Sequence, residues 1–186
     1  MKETVTLNFD GGSRGNPGPA GVGVVLCAED GTELLTLGRF IGRATNNAAE
    51  YRALITGLQE ARKLGAKRLH IRGDSELIIK QMRGEYRVKN ADLRPLYEEA
   101  RALLMQFEHA ALEHNLRGKN ALADRLANLA MDRQADVTDV DSTAVAPRQR
   151  AEQFTCSRCG CVIEVKRDGS PSHPHPFTCR CGNKMH

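Results

Sequence analysis

Two strand-like runs in this chain each stop on an aspartate, and this constrains the fold more than any other feature. Val5-Thr-Leu-Asn-Phe-Asp10 alternates apolar and polar residues before entering Gly11-Gly-Ser-Arg-Gly-Asn16-Pro-Gly-Pro-Ala, and Leu69-His-Ile-Arg-Gly-Asp74 has the same form. Two further acids sit on helical patterns. Glu50 falls in the first turn of a helix that starts near Thr45-Asn46-Asn47, and Asp124 falls in the short run Asn120-Ala-Leu-Ala-Asp-Arg-Leu-Ala. Acids carried on strand ends and helices form the donor set of a hard cation. Magnesium takes oxygen ligands at about 2.0–2.1 Å and keeps several waters. Two such ions about 3.5–4 Å apart can hold both the attacking and the leaving oxygen of a phosphodiester.

The rest of the pattern says how these runs are connected. Residues 3–42 read as three strands joined by Gly11–Gly18 and by the turn Glu29-Asp30-Gly31. Helical spacing covers 46–64, with Gly65 placed to end it. Then follow a strand at 68–73, a helix near 75–83, a polar connection through Tyr86–Asn90, a helix at about 93–106, a strand near 108–114 and a helix near 119–133. Three hairpin-linked strands followed by alternating helices and strands make an α/β fold, a mixed sheet with helices packed on it.

Periodicity fades after Gln134. The small polar residues from Ala135 to Arg150 have the composition of a linker. The expected organisation is a catalytic body at 1–134, a linker at 135–150 and a cysteine-rich module at 151–186, which holds five of the six cysteines. Charge is uneven. Residues 1–140 carry 20 basic against 19 acidic side chains, whereas 141–186 carry 7 against 4, which points the tail toward a polyanion unless its charges are merely solvated. No run approaches the ~18 apolar residues of a membrane span. No charged, then apolar, leader opens the chain, so a cytoplasmic, reducing setting is expected.

The motifs Asp10-Gly-Gly-Ser-Arg-Gly-Asn-Pro-Gly-Pro-Ala-Gly, Thr45-Asn-Asn-Ala-Ala-Glu50-Tyr, Gly73-Asp74-Ser75 and Asn120-Ala-Leu-Ala-Asp124-Arg-Leu-Ala together resemble the type 1 ribonuclease H domain, over about residues 3–133. The resemblance implies a five-stranded mixed sheet whose first three strands are antiparallel. It also implies cleavage of the RNA strand of RNA–DNA hybrids with two Mg²⁺ or Mn²⁺ ions. By position, Asp10 would bridge both ions. Glu50 would hold one and touch a ribose 2′-OH, Asp74 would be the second strand-borne ligand, and Asp124 would complete the other ion's site.

Asn16, Asn46, Asn47 and Asn90 resemble family positions that contact the hybrid, where a side-chain amide can both donate and accept. Asn16 also suits its Gly/Pro turn, and Asn46 is a natural helix N-cap. Many relatives carry a mobile His in the loop before the last Asp. Here Arg117 resembles the substitute seen in one branch, where it would steady phosphate charge; it also reads as an exposed loop cation. The chain departs from the pattern in two respects. Residues 84–92 are too short for the basic protrusion of some relatives, and there is no Trp to shape the DNA strand.

Cys156-Ser-Arg-Cys159 and Cys179-Arg-Cys181 resemble a small zinc ribbon. Four thiolates at about 2.3 Å make a closed structural Zn²⁺ site, and a segment this small needs such a staple. Cys161, His173, His175 and His186 are alternative ligands. The module would strengthen the hold on nucleic acid or dock a protein partner. Two other functions stay open at this point: a module that binds hybrid or double-stranded RNA with little turnover, and a nuclease of broader duplex preference.

Overall fold

The structure is a computed structural model and describes residues 3–115, 120–138, 152–155 and 162–165. Three antiparallel strands come first: β1 (Thr4–Ser13), β2 (Gly18–Ala28) and β3 (Glu33–Ala44). The β2–β3 turn forms where the sequence places it. Gly31 adopts φ +84° and donates to the Ala28 carbonyl at 2.9 Å, while Asp30 Oδ1 accepts from Thr32 N–H at 2.9 Å. β4 (Arg68–Gly73) then pairs parallel to β1, and β5 (His109–His114) parallel to β4.

The sheet has six strands, not five, in the order β5-β4-β1-β2-β3-β6. The sixth, β6 (Val137–Thr138), lies antiparallel beside Leu37 and Gly38. Val137 is buried against that edge, whereas a two-residue strand has no alternation to read, so the sequence pattern placed it in the linker. The chain divides into two compact units, Met1–Asp139 and Val140–His186, and the first unit therefore takes in the start of the expected linker. β1 is also longer than its pattern. It continues past Asp10 to Ser13 because β2 stays paired with it down to Ala20, while the parallel partner β4 stops at Gly73, opposite Phe9. Asp10 thus lies where the sheet narrows rather than at a strand terminus.

α1 (Asn46–Lys63), α2 (Glu76–Met82) and α3 (Arg94–Leu104) bury their apolar residues in one cluster with Leu7 and Phe9 of β1 and Val22, Val24 and Leu26 of β2. α4 (Ala121–Arg133) buries Ala123 and Leu126 with Val25, on the alternate positions of β2 and hence on the opposite face. α1 and α4 lie very close to the sheet. A Cβ on Gly11 would come within 2.3 Å of the Ala49 backbone, and one on Gly23 within 1.9 Å of the Ala123 carbonyl, so only glycine fits at either place. Tyr51, fully buried on α1, donates its hydroxyl to Gln81 Oε1 of α2 at 2.7 Å, giving a buried polar atom its partner.

In the second unit, β7 (Glu152–Thr155) and β8 (Val162–Val165) pair antiparallel. Cys156, Cys159, Cys161, Cys179 and Cys181, the tail histidines and Arg117 lie outside the described residues. Among the described residues, no helix is long and apolar enough to cross a membrane.

Candidate active site

Parallel pairing of β1 with β4 places Asp10 and Asp74 side by side, since each follows a residue of the last paired position, Phe9–Gly73. α1 then passes over Gly11, where the missing Cβ lets the Glu50 backbone approach. Carboxylate oxygens of Asp10, Glu50 and Asp74 consequently lie within 4.8 Å of one another. Asp10 and Glu50 are buried, at 8% and 6% exposure.

Such a cluster is unfavourable by itself. Two unit negative charges at this distance repel by about 3 kcal/mol at an effective dielectric constant near 20. Burial first, and then the Asp10 and Asp74 charges, push the Glu50 carboxyl up to about 9, against a hydrogen bond from the Gly11 N–H that lowers it. Glu50 Oε2 and Asp74 Oδ1 are both buried and have no hydrogen-bond partner. Arg14 lines the same cavity, but its guanidinium is engaged by Asp132. Buried carboxyl oxygens without donors, all of them hard ligands, fit a divalent cation, whose charge would hold Glu50 ionised.

Asp124 lines this cavity from α4 but is exposed, and it lies outside the compact three-acid group. The Asn128 amide, one turn on, donates to the Asp124 backbone carbonyl at 2.9 Å and to its Oδ1 at 3.0 Å. Asn120 ties α4 to β1: its buried Nδ2 donates to the Phe9 carbonyl at 2.7 Å. The chain immediately before Asp10 is thereby fixed to the residue four before Asp124. His114, opposite Gly73 in β5, places Nε2 3.1 Å from the Asp74 carbonyl. Sequence reading missed Asn120 and Asn128 as site residues, although their i−4 and i+4 spacing around Asp124 on one helix face was a usable signal.

The four asparagines meet different fates. Asn46 lines the cavity, and its backbone N–H donates to Asn16 Oδ1 at 3.2 Å. It is not the N-cap of α1. Thr45 is, accepting from Ala48 N–H at 3.3 Å through a hydroxyl whose backbone is extended, as a cap requires. Asn47 is exposed on the same first turn, and it does not line the cavity. Asn90 Oδ1 accepts from Asp92 N–H at 2.7 Å and Leu93 N–H at 3.2 Å, which closes the turn into α3. A separate open cavity beside that turn is lined by Arg87, Lys89, Arg94 and Arg101 together with Tyr86 and Tyr97.

The chain is similar to several known proteins. Residues 8–130 match the family model described as reverse transcriptase-like. The chain is 50% identical over 139 residues to the bifunctional protein Rv2228c of Mycobacterium tuberculosis, covering 74% of this chain but only 38% of that protein. Among solved structures, ribonuclease H1 of Halobacterium salinarum is 47% identical with a TM-score of 0.69, covering 70% of this chain and 98% of that one. LC11 ribonuclease H1, isolated from compost by a metagenomic approach, was solved in complex with an RNA/DNA hybrid. It is 41% identical with a TM-score of 0.67, covering 70% of this chain and 98% of that one.

Proposed function

Because the chain belongs to the ribonuclease H family, we propose that it is an endoribonuclease that cleaves the RNA strand of RNA–DNA hybrids by metal-assisted hydrolysis. The observation that carries this reading is the compact group of buried Asp10 and Glu50 with half-buried Asp74, two of whose carboxyl oxygens lack any donor, on a fold shared with a hybrid-binding relative.

In this reading Asp10, Glu50, Asp74 and Asp124 would hold two divalent ions, Mg²⁺ or Mn²⁺. Ions bound there supply the positive charge that acidifies an attacking water and steadies the leaving 3′-oxygen. The chain's own residues supply order. Gly11 donates its N–H to Glu50, Asn120 locks α4 to β1, and Thr45 starts α1 at the angle that brings Glu50 over Gly11. Asn46 and Asn47, with Asn16 beside them, offer amides for the ribose 2′-OH and the minor-groove edge, the features that separate RNA from DNA. Asn90 serves in this role only if substrate displaces its turn bonds, and Arg117 is assigned to phosphate charge.

The second unit is read as a zinc-stapled module held by Cys156, Cys159, Cys179 and Cys181, and its cations hold nucleic acid or a protein partner. Two paired strands that flank Cys-x₂-Cys in sequence support this. The setting is taken as cytoplasmic from the reducing chemistry that free or zinc-bound cysteines need.

The test is cleavage of labelled hybrid, RNA duplex and DNA duplex side by side, with Mg²⁺ and with Mn²⁺. Cutting confined to the RNA of the hybrid is expected. Equal cutting of RNA duplex replaces this reading with a broader nuclease, and binding without cutting replaces it with a binding module.

A further inference from the structure

Three of the four acids are fixed by burial or by the sheet. Asp124 is not: it is exposed on the first turn of α4. An exposed Asp samples several rotamers, and a ligand that must be ordered as the ion arrives binds it more weakly than one already aimed.

From this geometry we propose that Asn128 is the positioning residue for Asp124, holding one carboxylate oxygen so that the other faces the metal position. The proposal rests on the reading of Asp124 as a ligand. Asn128 Nδ2 bridges two oxygens of the same residue, the backbone carbonyl at 2.9 Å and Oδ1 at 3.0 Å. Both partners are acceptors, so the amide must present its nitrogen and not its oxygen. The double contact fixes the carboxylate relative to the helix backbone, because one arm of the bridge is anchored on that backbone. Among the described residues, the hydrogen bonds on the Asp124 side chain come from Asn128 alone. Asn128 also lines the cavity that holds the acids, so it acts at the site rather than on a remote face. Outer groups that orient a metal ligand in this way typically change metal affinity or activity by about 10–100-fold when removed.

The experiment uses the full chain with Asn128→Ala, Asn128→Gln, Asn128→Asp and Asp124→Asn. Mg²⁺ and Mn²⁺ binding is measured by calorimetry without substrate, and kcat and KM for hybrid are measured across metal concentration. The proposal expects Asn128→Ala to weaken metal binding about tenfold or more. Excess metal should restore its kcat, and KM for hybrid should be unchanged. Asn128→Gln keeps a donor in reach and should stay near wild type. Asn128→Asp sets an oxygen against Asp124 Oδ1 and should be worse than Ala.

Helix propensity alone predicts a different pattern, since Ala and Gln favour a helix more than Asn or Asp do. A more stable Asn128→Ala with weaker metal binding therefore separates positioning from folding. Wild-type metal binding in Asn128→Ala, or a loss confined to KM, overturns the proposal, and in the latter case Asn128 touches substrate instead. If Asp124→Asn is inactive while the Asn128 variants behave as wild type, only this proposal falls. If Asp124→Asn itself binds metal and cleaves normally, the reading of Asp124 as a ligand falls with it.

Discussion

Glu50 is the residue at which folding and chemistry oppose each other. Its burial beside Asp10 and Asp74 raises its carboxyl to about 9, so in metal-free protein at neutral pH it is protonated. The folded value lies above the unfolded one. Its stability contribution is therefore present below about 4.5 and is lost as pH rises toward about 9. Glu50→Gln removes that loss. In EDTA the variant should be more stable than wild type by on the order of 3–5 kcal/mol at pH 8, at about 1.4 kcal/mol per pH unit above the unfolded value, and by less than about 1 kcal/mol at pH 5. Urea melts at the two pH values check this, and a gap that does not grow with pH contradicts it. Added Mg²⁺ should narrow the gap at pH 8, since wild type gains the ion's stabilisation and the variant gains less. The acids themselves were legible in the sequence because each ends or begins a patterned element. Asn120 and Asn128 were not recognised, because polar residues on a helix near a site look the same as solvated ones until their partners are seen.

At the scale of elements, alternation and 3.6-residue spacing located the four helices and the five longer strands described in the first unit, because each buries one face, but not β7 and β8 of the second. The parts that escaped lack such a face of their own. β6 is two residues long, and the last stretch of β1 is glycine-rich to admit α1. The helix-start reading at Asn46 was displaced by one residue. Thr45 takes the cap, which leaves Asn46 at the first helical position with its backbone N–H on Asn16. This changes what a mutation there reports. Asn46→Ala with Asn47→Ala spares the cap, so the double variant should melt near wild type, while Thr45→Ala should lose about 0.5–2 kcal/mol. The double variant should discriminate RNA from DNA less well and bind Mg²⁺ as before. Parallel kinetics on hybrid and on a hybrid with 2′-deoxy substitution at the scissile step measure this. Unchanged discrimination in a folded protein removes both residues from the contact set.

For the whole molecule, the sheet, all four acids and β6 lie within Met1–Asp139, so a chain cut after Asp139 should fold and cleave. A cut after Asp136, at the edge of the linker composition, would remove Val137 from the β3 edge. The tail carries Arg158, Lys166, Arg167, Arg180 and Lys184, and the body lacks the long basic protrusion. Removing the tail should therefore raise KM and lower the log–log salt slope by about 0.7–0.9 for each phosphate that the tail neutralises. Equal KM and slope in the two forms would make protein docking the better role for the tail, and zinc missing from the full-length protein would remove the ribbon. The proposed metal-requiring centre of Asp10, Glu50 and Asp74 for cutting RNA in a hybrid lies wholly in the first unit. The direct measurement is single-turnover cleavage of end-labelled RNA in a hybrid across Mg²⁺ concentration, for wild type and Asp10→Asn, with hybrid binding measured alongside. Internal RNA cleavage that rises with Mg²⁺, with the DNA strand left intact, is expected. Asp10→Asn should bind the hybrid and not cut it, because it removes a metal ligand and none of the amides and cations proposed to hold the hybrid. Wild-type turnover by Asp10→Asn, or cleavage that persists in EDTA, would contradict a metal-requiring centre.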